Sequence, residues 1–124
     1  MAKKILIVED EVITAMGMTD MLELWGYDAL EPASTSDEAL ERAASQKPDL
    51  VVLDIRIQGD IDGIETAKKI REMLGIPVIF VTGYTDSGIR QRAEEAKPAG
   101  YLVKPIDLDK LKAVLEVALG PDSG

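Results

Sequence analysis

Cysteine and histidine are both absent from the 124 residues of this chain. Without cysteine the chain has no disulfide, thiolate nucleophile, zinc knuckle or iron–sulfur ligand. Without histidine it has no Ser-His catalysis and no imidazole metal ligand, and it cannot carry a phosphohistidine of its own. These two absences exclude whole classes of hydrolase, redox protein and metal site.

Long apolar runs are absent as well. The segment from Met1 to Lys4, followed by four apolar residues, mimics the start of a signal peptide, but the run stops at Glu9 and Asp10. This is far shorter than the apolar region of a signal peptide, and no other run approaches the length of a membrane span. We therefore expect a cytoplasmic protein that does not interact with a membrane.

Positive charge is scarce: 23 acidic residues outnumber 14 basic ones, which gives a formal net charge of −9. A nucleic-acid surface needs clustered lysine and arginine to neutralise phosphates, so we expect no nucleic-acid binding by this domain alone. The length and the hydrophobic content of 46% fit one globular domain. We assign it to residues 1–120 and interpret residues 121–124 as a linker-like tail.

Five short apolar segments alternate with five segments of helical periodicity. The predicted strands are Lys4–Val8, Tyr27–Glu31, Leu50–Asp54, Pro77–Val81 and Tyr101–Val103. Such alternation predicts βαβ units, a parallel sheet with right-handed crossovers, and helices on both faces. The second strand is polar and is stopped by Pro32, which places it at an edge of the sheet.

The first, third and fourth strands are apolar throughout and belong inside the sheet. With the second strand at the edge, the favoured strand order is 2-1-3-4-5, as in flavodoxin-like sheets. The expected fold class is therefore α/β, a flavodoxin-like (βα)5 doubly wound five-stranded parallel sheet. The fourth helix, around Ser87–Ala96, has few core positions and is predicted to be the least firmly anchored.

Capping residues mark the ends of several helices. Thr35 and Asp62 each precede a glutamate by three residues, the spacing of an N-terminal cap, and Asp107 caps the final helix. Gly26 and Gly75 are placed as left-handed terminators. Apolar spacing assigns core-facing positions to Ile13, Met16, Met21 and Leu24 in the first helix, to Ala67, Ile70 and Leu74 in the third, and to Leu108, Leu111, Leu115 and Ala118 in the last.

The apolar segment from Leu50 to Asp54 ends abruptly in a carboxylate. Its four β-favouring residues lie between a Pro-Asp pair and a Gly/Asp-rich loop, which predicts a strand buried on both faces. Asp54 would then lie at the C-terminal end of that strand. It is either a solvated aspartate of a turn, which is a common position for this residue, or a reacting group.

Chemically active side chains follow four of the five predicted strands: Glu9 with Asp10, then Asp54, Thr82 and Lys104. Parallel strands end at one edge of the sheet and lie about 4.8 Å apart, so Asp10 and Thr82 are predicted to flank Asp54. Lys104 begins about two strands away and can reach inward along its four-carbon stem.

Three carboxylates this close repel one another, so the site must raise a pKa or bind a cation. Oxygen ligands without histidine or cysteine select a hard ion, and partial coordination favours Mg²⁺ over Ca²⁺. A carboxylate beside Mg²⁺, a lysine and a hydroxyl is equipped to attack phosphorus and form an aspartyl phosphate. The ion and the lysine would neutralise the charge on the equatorial phosphoryl oxygens.

Five short motifs run through the chain in a set order. They are Ile5-Leu6-Ile7-Val8-Glu9-Asp10, Leu53-Asp54-Ile55, Asp62-Gly63, Val81-Thr82-Gly83 and Gly100-Tyr101-Leu102-Val103-Lys104-Pro105. Each is weak by itself, but together the chain, through Leu119, resembles the receiver domain of two-component response regulators, in the stand-alone form of a chemotaxis response regulator.

The resemblance implies a role for each acidic residue. Asp54 would be the phosphoacceptor, which takes a phosphoryl group from the phosphohistidine of a sensor histidine kinase or phosphotransfer protein. Glu9, Asp10 and Asp54 would hold Mg²⁺ together with the backbone carbonyl of Arg56. The domain would be a phosphoprotein rather than an enzyme, although it would assist its own phosphorylation and dephosphorylation.

The resemblance also implies a switch. Lys104 would pair with the phosphoryl group, and its bond to Pro105 would be cis. Thr82 would donate its hydroxyl to the phosphate, and Tyr101 would turn inward as Thr82 moves. Output would go through the face made by the fourth helix, the fifth strand and the fifth helix, to a downstream protein target or to a second copy in a homodimer favoured by phosphorylation.

The loop after Asp54 departs from the common family pattern. Gln58 stands where the family usually has proline, and Asp62 comes one residue later than usual. Arg56 and Tyr84 occupy two variable positions beside the phosphate, and both are large, which predicts slow hydrolysis of the aspartyl phosphate because in-line water is hindered.

Two other functions share the predicted fold. A receiver-like module that binds partners without being phosphorylated is one alternative, although the complete set of acids and Lys104 argues against it. A flavodoxin-like FMN protein is the other. It would need a Ser/Thr-rich phosphate loop after the first strand and stacking aromatic residues, and the sequence has neither.

Overall fold

The computed structural model describes residues 2–57, 62–83 and 87–120. The strands are β1 (Lys4–Val8), β2 (Asp28–Ala29), β3 (Leu50–Leu53), β4 (Val78–Thr82) and β5 (Gly100–Val103). The helices are α1 (Val12–Leu24), α2 (Ser36–Gln46), α3 (Gly63–Leu74), α4 (Ser87–Glu95) and α5 (Leu108–Leu119). The predictions for Gln58, Tyr84 and the tail 121–124 lie outside the described residues.

The five strands form one parallel sheet in the order β2-β1-β3-β4-β5, which confirms the predicted fold class and order. β1 pairs with β3 from Ile5 opposite Leu50 to Val8 opposite Leu53, so both strands end level with each other. β2 is at the edge, as predicted, but it is only two residues long, Asp28 and Ala29, which pair with Lys4 and Ile5 of β1.

The apolar residues of the strands alternate between two cores, one on each face of the sheet. Leu6, Val51 and Phe80 point to the face covered by α2, α3 and α4. Ile5, Val52 and Ile79 point to the opposite face, where α1 and α5 pack. Because both faces are covered, the chemistry of the strands is confined to their ends.

The predicted core face of α1 is wrong. Ala15, Met18 and Leu22 are the buried residues of this helix, whereas Ile13 is 86% exposed and Met16 and Leu24 are exposed as well. Apolar residues lie all around α1, so two stripes have helical spacing and the pattern alone could not select between them. Ala15, with its small side chain, faces the sheet.

Two other predicted core positions, Leu74 and Leu108, are also exposed. They are the last residue of α3 and the first residue of α5, where a helix extends beyond its packed middle. Ala67, Ile70, Leu111 and Leu115 are buried as predicted. The prediction for the fourth helix is confirmed, since Ala93 is the one buried residue of α4, all of which is described.

The helix caps form as the sequence predicts. The Thr35 hydroxyl accepts from the Glu38 amide at 3.2 Å, and the Asp62 carboxylate accepts from the Glu65 amide at 3.0 Å. Asp107 caps α5 by accepting from the amides of the second and third helical residues. Gly26 and Gly75 have φ of +91° and +69°, the left-handed region that glycine adopts without strain.

Within residues 2–57, 62–83 and 87–120, every helix is too short or too polar to cross a lipid bilayer.

Candidate functional site

The C-terminal edge of the sheet carries a cleft of about 640 Å³. It is lined by Asp10, Glu11, Asp54, Arg56, Ile57, Gly83 and Lys104. These residues follow β1, β3, β4 and β5, which are adjacent in the sheet, so the strand order brings together side chains that lie up to 94 positions apart in the sequence. The prediction that the post-strand residues collect at one edge is therefore correct.

Three carboxylates meet in the cleft. Glu9, Asp10 and Asp54 each offer an oxygen that lies within 4.8 Å of the others. Glu9 is only 4% exposed and Asp54 only 7%, whereas Asp10 is exposed. The level ends of β1 and β3 cause this meeting, because the Asp54 amide donates to the Val8 carbonyl at 2.9 Å and so holds the two chain segments side by side.

Lys104 pairs with two of these carboxylates at once. Its Nζ lies 2.9 Å from Glu9 Oε2 and 2.8 Å from Asp54 Oδ2, and its side chain is 23% exposed. Burial disfavours the charged amine, but the hydrogen bonds to Asp54 and Glu9 outweigh it and raise the pKa of Lys104. The lysine therefore stays a cation and reaches inward from β5, as predicted.

The remaining carboxylate oxygens are held by the backbone. Asp54 Oδ1 accepts from the Arg56 amide at 2.9 Å, and Glu9 Oε1 accepts from the Glu11 amide at 3.1 Å. Burial raises the pKa of Glu9, whereas the hydrogen bonds from Lys104 and the Glu11 amide lower it. Burial is the larger effect, so the pKa of Glu9 lies above its ordinary value. With one lysine for two buried acids and an exposed third, the cleft carries excess negative charge.

The backbone around Lys104 also matches the prediction. The Lys104 amide donates to the Thr82 carbonyl at 2.8 Å, which ties the end of β5 to the end of β4. The Lys104–Pro105 peptide is cis. Thr82 itself is the last residue of β4 and is fully buried, and the next residue, Gly83, lines the cleft.

Tyr101 lies apart from the acids. It pairs in register with Phe80 across β4 and β5, and its ring meets that of Phe80 edge-on, with centroids 6.3 Å apart and an angle of 68° between planes. The Arg90 guanidinium lies over the same ring at 4.2 Å. Among the described residues, those that line the cleft do not include Tyr101, which packs on the α4 side of the sheet.

The first turn of α3 packs against the backbone of Asp54 and Ile55. The Gly63 amide donates to the Ile55 carbonyl at 3.0 Å, and a Cβ at Gly63 would lie 2.6 Å from both the Asp54 carbonyl oxygen and Ile55 Cα. One feature of the sequence indicates this contact: a glycine stands at the first position of a capped helix, where other residues form helix more readily. The Arg90–Tyr101 contact had no such sign.

The donor set fits a hard divalent cation. Glu9, Asp10 and Asp54 supply only oxygen atoms, and their excess negative charge favours a cation in the cleft. Arg56 lines the same cleft, two residues after Asp54, and its backbone amide donates to Asp54 Oδ1. No described residue contributes a nitrogen or sulfur ligand to this cluster.

Residues 5–116 match the family described as the response regulator receiver domain. The chain is 33% identical over 117 residues to the transcriptional regulatory protein PdtaR of Mycobacterium tuberculosis, covering 94% of this chain and 57% of that protein. It is 36% identical over 116 residues to ZraR of Escherichia coli, a transcriptional regulatory protein, covering 93% of this chain and 26% of ZraR. The chain thus spans only part of the length of these curated relatives.

Solved structures resemble the chain over nearly its full length. The signal receiver domain of a modulated diguanylate cyclase from Desulfovibrio desulfuricans G20 superposes with a TM-score of 0.90 at 36% identity, covering 96% of this chain and 94% of that one. A CheY-like response regulator receiver domain from Methanospirillum hungatei gives a TM-score of 0.86 at 29% identity, covering 95% and 94% of the two chains.

Proposed function

Since this chain belongs to the receiver domain family of two-component response regulators, whose general function is a phosphorylation switch, we propose that Asp54 is its phosphoacceptor. The donor is the phosphohistidine of a sensor histidine kinase or phosphotransfer protein, and the domain works in the cytoplasm as a switch rather than as an enzyme. One observation carries the proposal: Asp54 directly follows the central strand β3, lies in the cleft, and is paired with Lys104 beside two further acids.

The transfer is an in-line displacement at phosphorus. A carboxylate oxygen of Asp54 forms the new P–O bond while the P–N bond of the phosphohistidine breaks, and the imidazole leaves with the bonding electron pair. Lys104, whose ammonium already lies 2.8 Å from Asp54, pairs with the incoming phosphoryl oxygens. The Thr82 hydroxyl, at the end of the adjacent strand, donates to the same group.

The acids of the cleft supply the metal site for this step. Glu9, Asp10, Asp54 and the carbonyl of Arg56 would hold Mg²⁺, which would supply positive charge to offset the charge that gathers on the phosphoryl oxygens. Arg56 amide donation keeps Asp54 Oδ1 oriented in the cleft. The buried position of Asp54 and Glu9 limits the water that reaches the acyl phosphate.

Phosphorylation shifts the domain between two conformations. Thr82 moves toward the phosphoryl group and Tyr101 turns inward after it, which changes the surface formed by α4, β5 and α5. α4 is suited to this motion because a single buried side chain, Ala93, anchors it. The changed face binds a downstream protein target or a second copy of the chain.

Acetyl phosphate labelling tests the phosphoacceptor. With Mg²⁺ present, the intact protein should gain the mass of one phosphoryl group, and Asp54→Asn should gain none. Asp20→Asn, which changes an exposed aspartate of α1, is the matched control and should label like the wild type. Labelling of Asp54→Asn would refute the site, and an unlabelled wild type would favour the unphosphorylated interaction module.

A further inference from the structure

The ring of Tyr101 is held between the sheet and α4. It meets the ring of Phe80, its fully buried neighbour in β4, in an edge-on arrangement. The Arg90 guanidinium of α4 lies 4.2 Å from the centroid of the Tyr101 ring. A cation at this distance over an aromatic face is attracted by the negative charge of the ring face, so Arg90 stabilises the ring in the position that it occupies beside α4.

Arg90 is itself fixed in place by its own helix. Its Nε donates to Glu94 Oε1 at 3.0 Å, one turn later in α4, which orients the planar guanidinium. The next arginine of α4, Arg92, points to a different partner, Asp62, at 2.9 Å. The two arginines therefore have separate contacts, and the Arg90 side chain, 51% exposed, is directed at the ring.

We propose that Arg90 is a positioning residue for Tyr101, which keeps the ring against α4 as long as Asp54 is an unmodified carboxylate. The inference rests on the proposed function, in which Tyr101 turns inward after phosphorylation. To turn, the ring must leave the guanidinium, so this contact biases the domain toward its resting conformation. Because α4 has one buried anchor, the same contact also couples the position of α4 to that of the ring.

Arg90→Gln removes the cation and leaves a neutral polar side chain that is two heavy atoms shorter, as the control below also does. Cation–π contacts at exposed sites change an equilibrium by about two- to fivefold, so the variant should raise the population of the turned conformer by that factor. Glu94→Gln should act in the same direction but more weakly, because the guanidinium stays while its orientation is lost. Arg71→Gln, at an exposed arginine of α3, removes the same charge and should have no effect.

Fluorine NMR of the unphosphorylated protein labelled with 3-fluorotyrosine observes the ring directly. The chain has three tyrosines, and the Tyr101 signal is the one lost in Tyr101→Phe. Arg90→Gln should increase the minor Tyr101 signal about two- to fivefold. An unchanged distribution of Tyr101 signals in Arg90→Gln would overturn the inference, whatever the phosphorylation assay shows.

Labelling kinetics with acetyl phosphate and Mg²⁺ provide the second readout. Arg90→Gln should label Asp54 about two- to fivefold faster than the wild type, and the same change in a Tyr101→Leu background should have no effect. An equal acceleration in both backgrounds, or none in either, would contradict the role of Arg90. A wild type that does not label would instead refute the proposed function, and the NMR result would still decide whether Arg90 holds the ring.

Discussion

The single ammonium of Lys104 pairs with two carboxylates, Glu9 and Asp54, and this imbalance of charge accounts for the electrostatics of the cleft. One ammonium cannot neutralise Glu9, Asp54 and the nearby Asp10 together, so the cleft retains negative charge. Removing the lysine would leave two buried acids without a cation, which is far more costly than losing a surface pair. The residue therefore has a structural part in the unmodified protein besides its proposed part in phosphoryl transfer.

Gly63 is predicted to be irreplaceable for steric reasons. In Gly63→Ala the new Cβ would lie 2.6 Å from backbone atoms of Asp54 and Ile55, which cannot move aside cheaply. We expect a loss of about 1–3 kcal/mol in the free energy of unfolding, measured by urea denaturation. Asp54, the proposed phosphoacceptor, should also be displaced, because the clash is with its own carbonyl.

Gly17→Ala is the matched control for this prediction. An added Cβ at Gly17, in the middle of α1, would meet no described atom within 4 Å apart from its chain neighbours and the nearby backbone of its own helix, so this variant should be stabilised by about 0.5–1 kcal/mol. Equal stability changes at the two glycines would show that the close approach of Asp54 does not require a glycine at position 63.

The site residues could be predicted from sequence because they are defined by strand ends. Once Leu53 and Val8 are placed at the ends of central parallel strands, Asp54 and Glu9 must be neighbours. The contact between Arg90 and Tyr101 could not be predicted in this way. It depends on how α4 docks on the sheet, and a helix with one buried residue gives little pattern from which to derive its orientation.

At the scale of elements, α1 is a helix whose buried face could not be predicted from the spacing of its apolar residues. The stripe of Ile13, Met16, Met21 and Leu24 has helical spacing, yet the stripe of Ala15, Met18 and Leu22 faces the sheet. A helix with apolar residues on several faces satisfies the pattern on each of them. Only the packing of α1 against β1 and β2 settles which stripe is buried.

The buried face of α1 predicts that substitutions on its two stripes differ strongly in their effect on stability. Leu22→Ala removes a fully buried side chain and should lower the free energy of unfolding by about 2–5 kcal/mol. Ile13→Gln, at a position that is 86% exposed, should change it by less than about 0.5 kcal/mol. Urea denaturation of both variants checks the assignment, and a large loss for Ile13→Gln would restore the face expected from the sequence.

α3 and α4 are joined by charges rather than by a large apolar contact. Arg92 of α4 pairs with the α3 cap Asp62 at 2.9 Å, and Lys68 of α3 lies 3.7 Å from Glu95 of α4. Burial raises the pKa of Asp62, but the hydrogen bonds from the Glu65 amide and from Arg92 lower it by more. The carboxylate is thus held in its charged form in the folded chain.

The lowered pKa of Asp62 predicts a pH dependence with a definite sign. Its stabilising contribution is fully present above the usual value of about 3.9 and is lost as the pH falls through the lower folded pKa. Asp62→Asn keeps the cap but not the charge, so the wild type should be more stable by about 0.5–1 kcal/mol above pH 5. Urea denaturation from pH 7 to 3 should show this advantage shrinking below pH 4, and a constant difference would contradict it.

At the scale of the whole molecule, the parallel sheet and the charge act together. The strand order places four chemically active strand ends at one edge, and the net charge of −9 makes the molecule repel itself at low salt. Any cation relieves this repulsion, so stabilisation by Mg²⁺ is informative only when it exceeds the stabilisation by an equal ionic strength of KCl.

Mg²⁺ should therefore stabilise the wild type beyond KCl, by about 2.7 kcal/mol when the ion is at 100 times its dissociation constant, and EDTA should remove the gain. Asp10→Asn tests the site because Asp10 is exposed, so its loss should leave the fold intact while it removes one of three oxygen donors. Urea denaturation of this variant should show only the KCl effect. If Mg²⁺ stabilised Asp10→Asn as much as the wild type, the ion would bind elsewhere on the acidic surface, because binding at any site of the folded chain raises the free energy of unfolding.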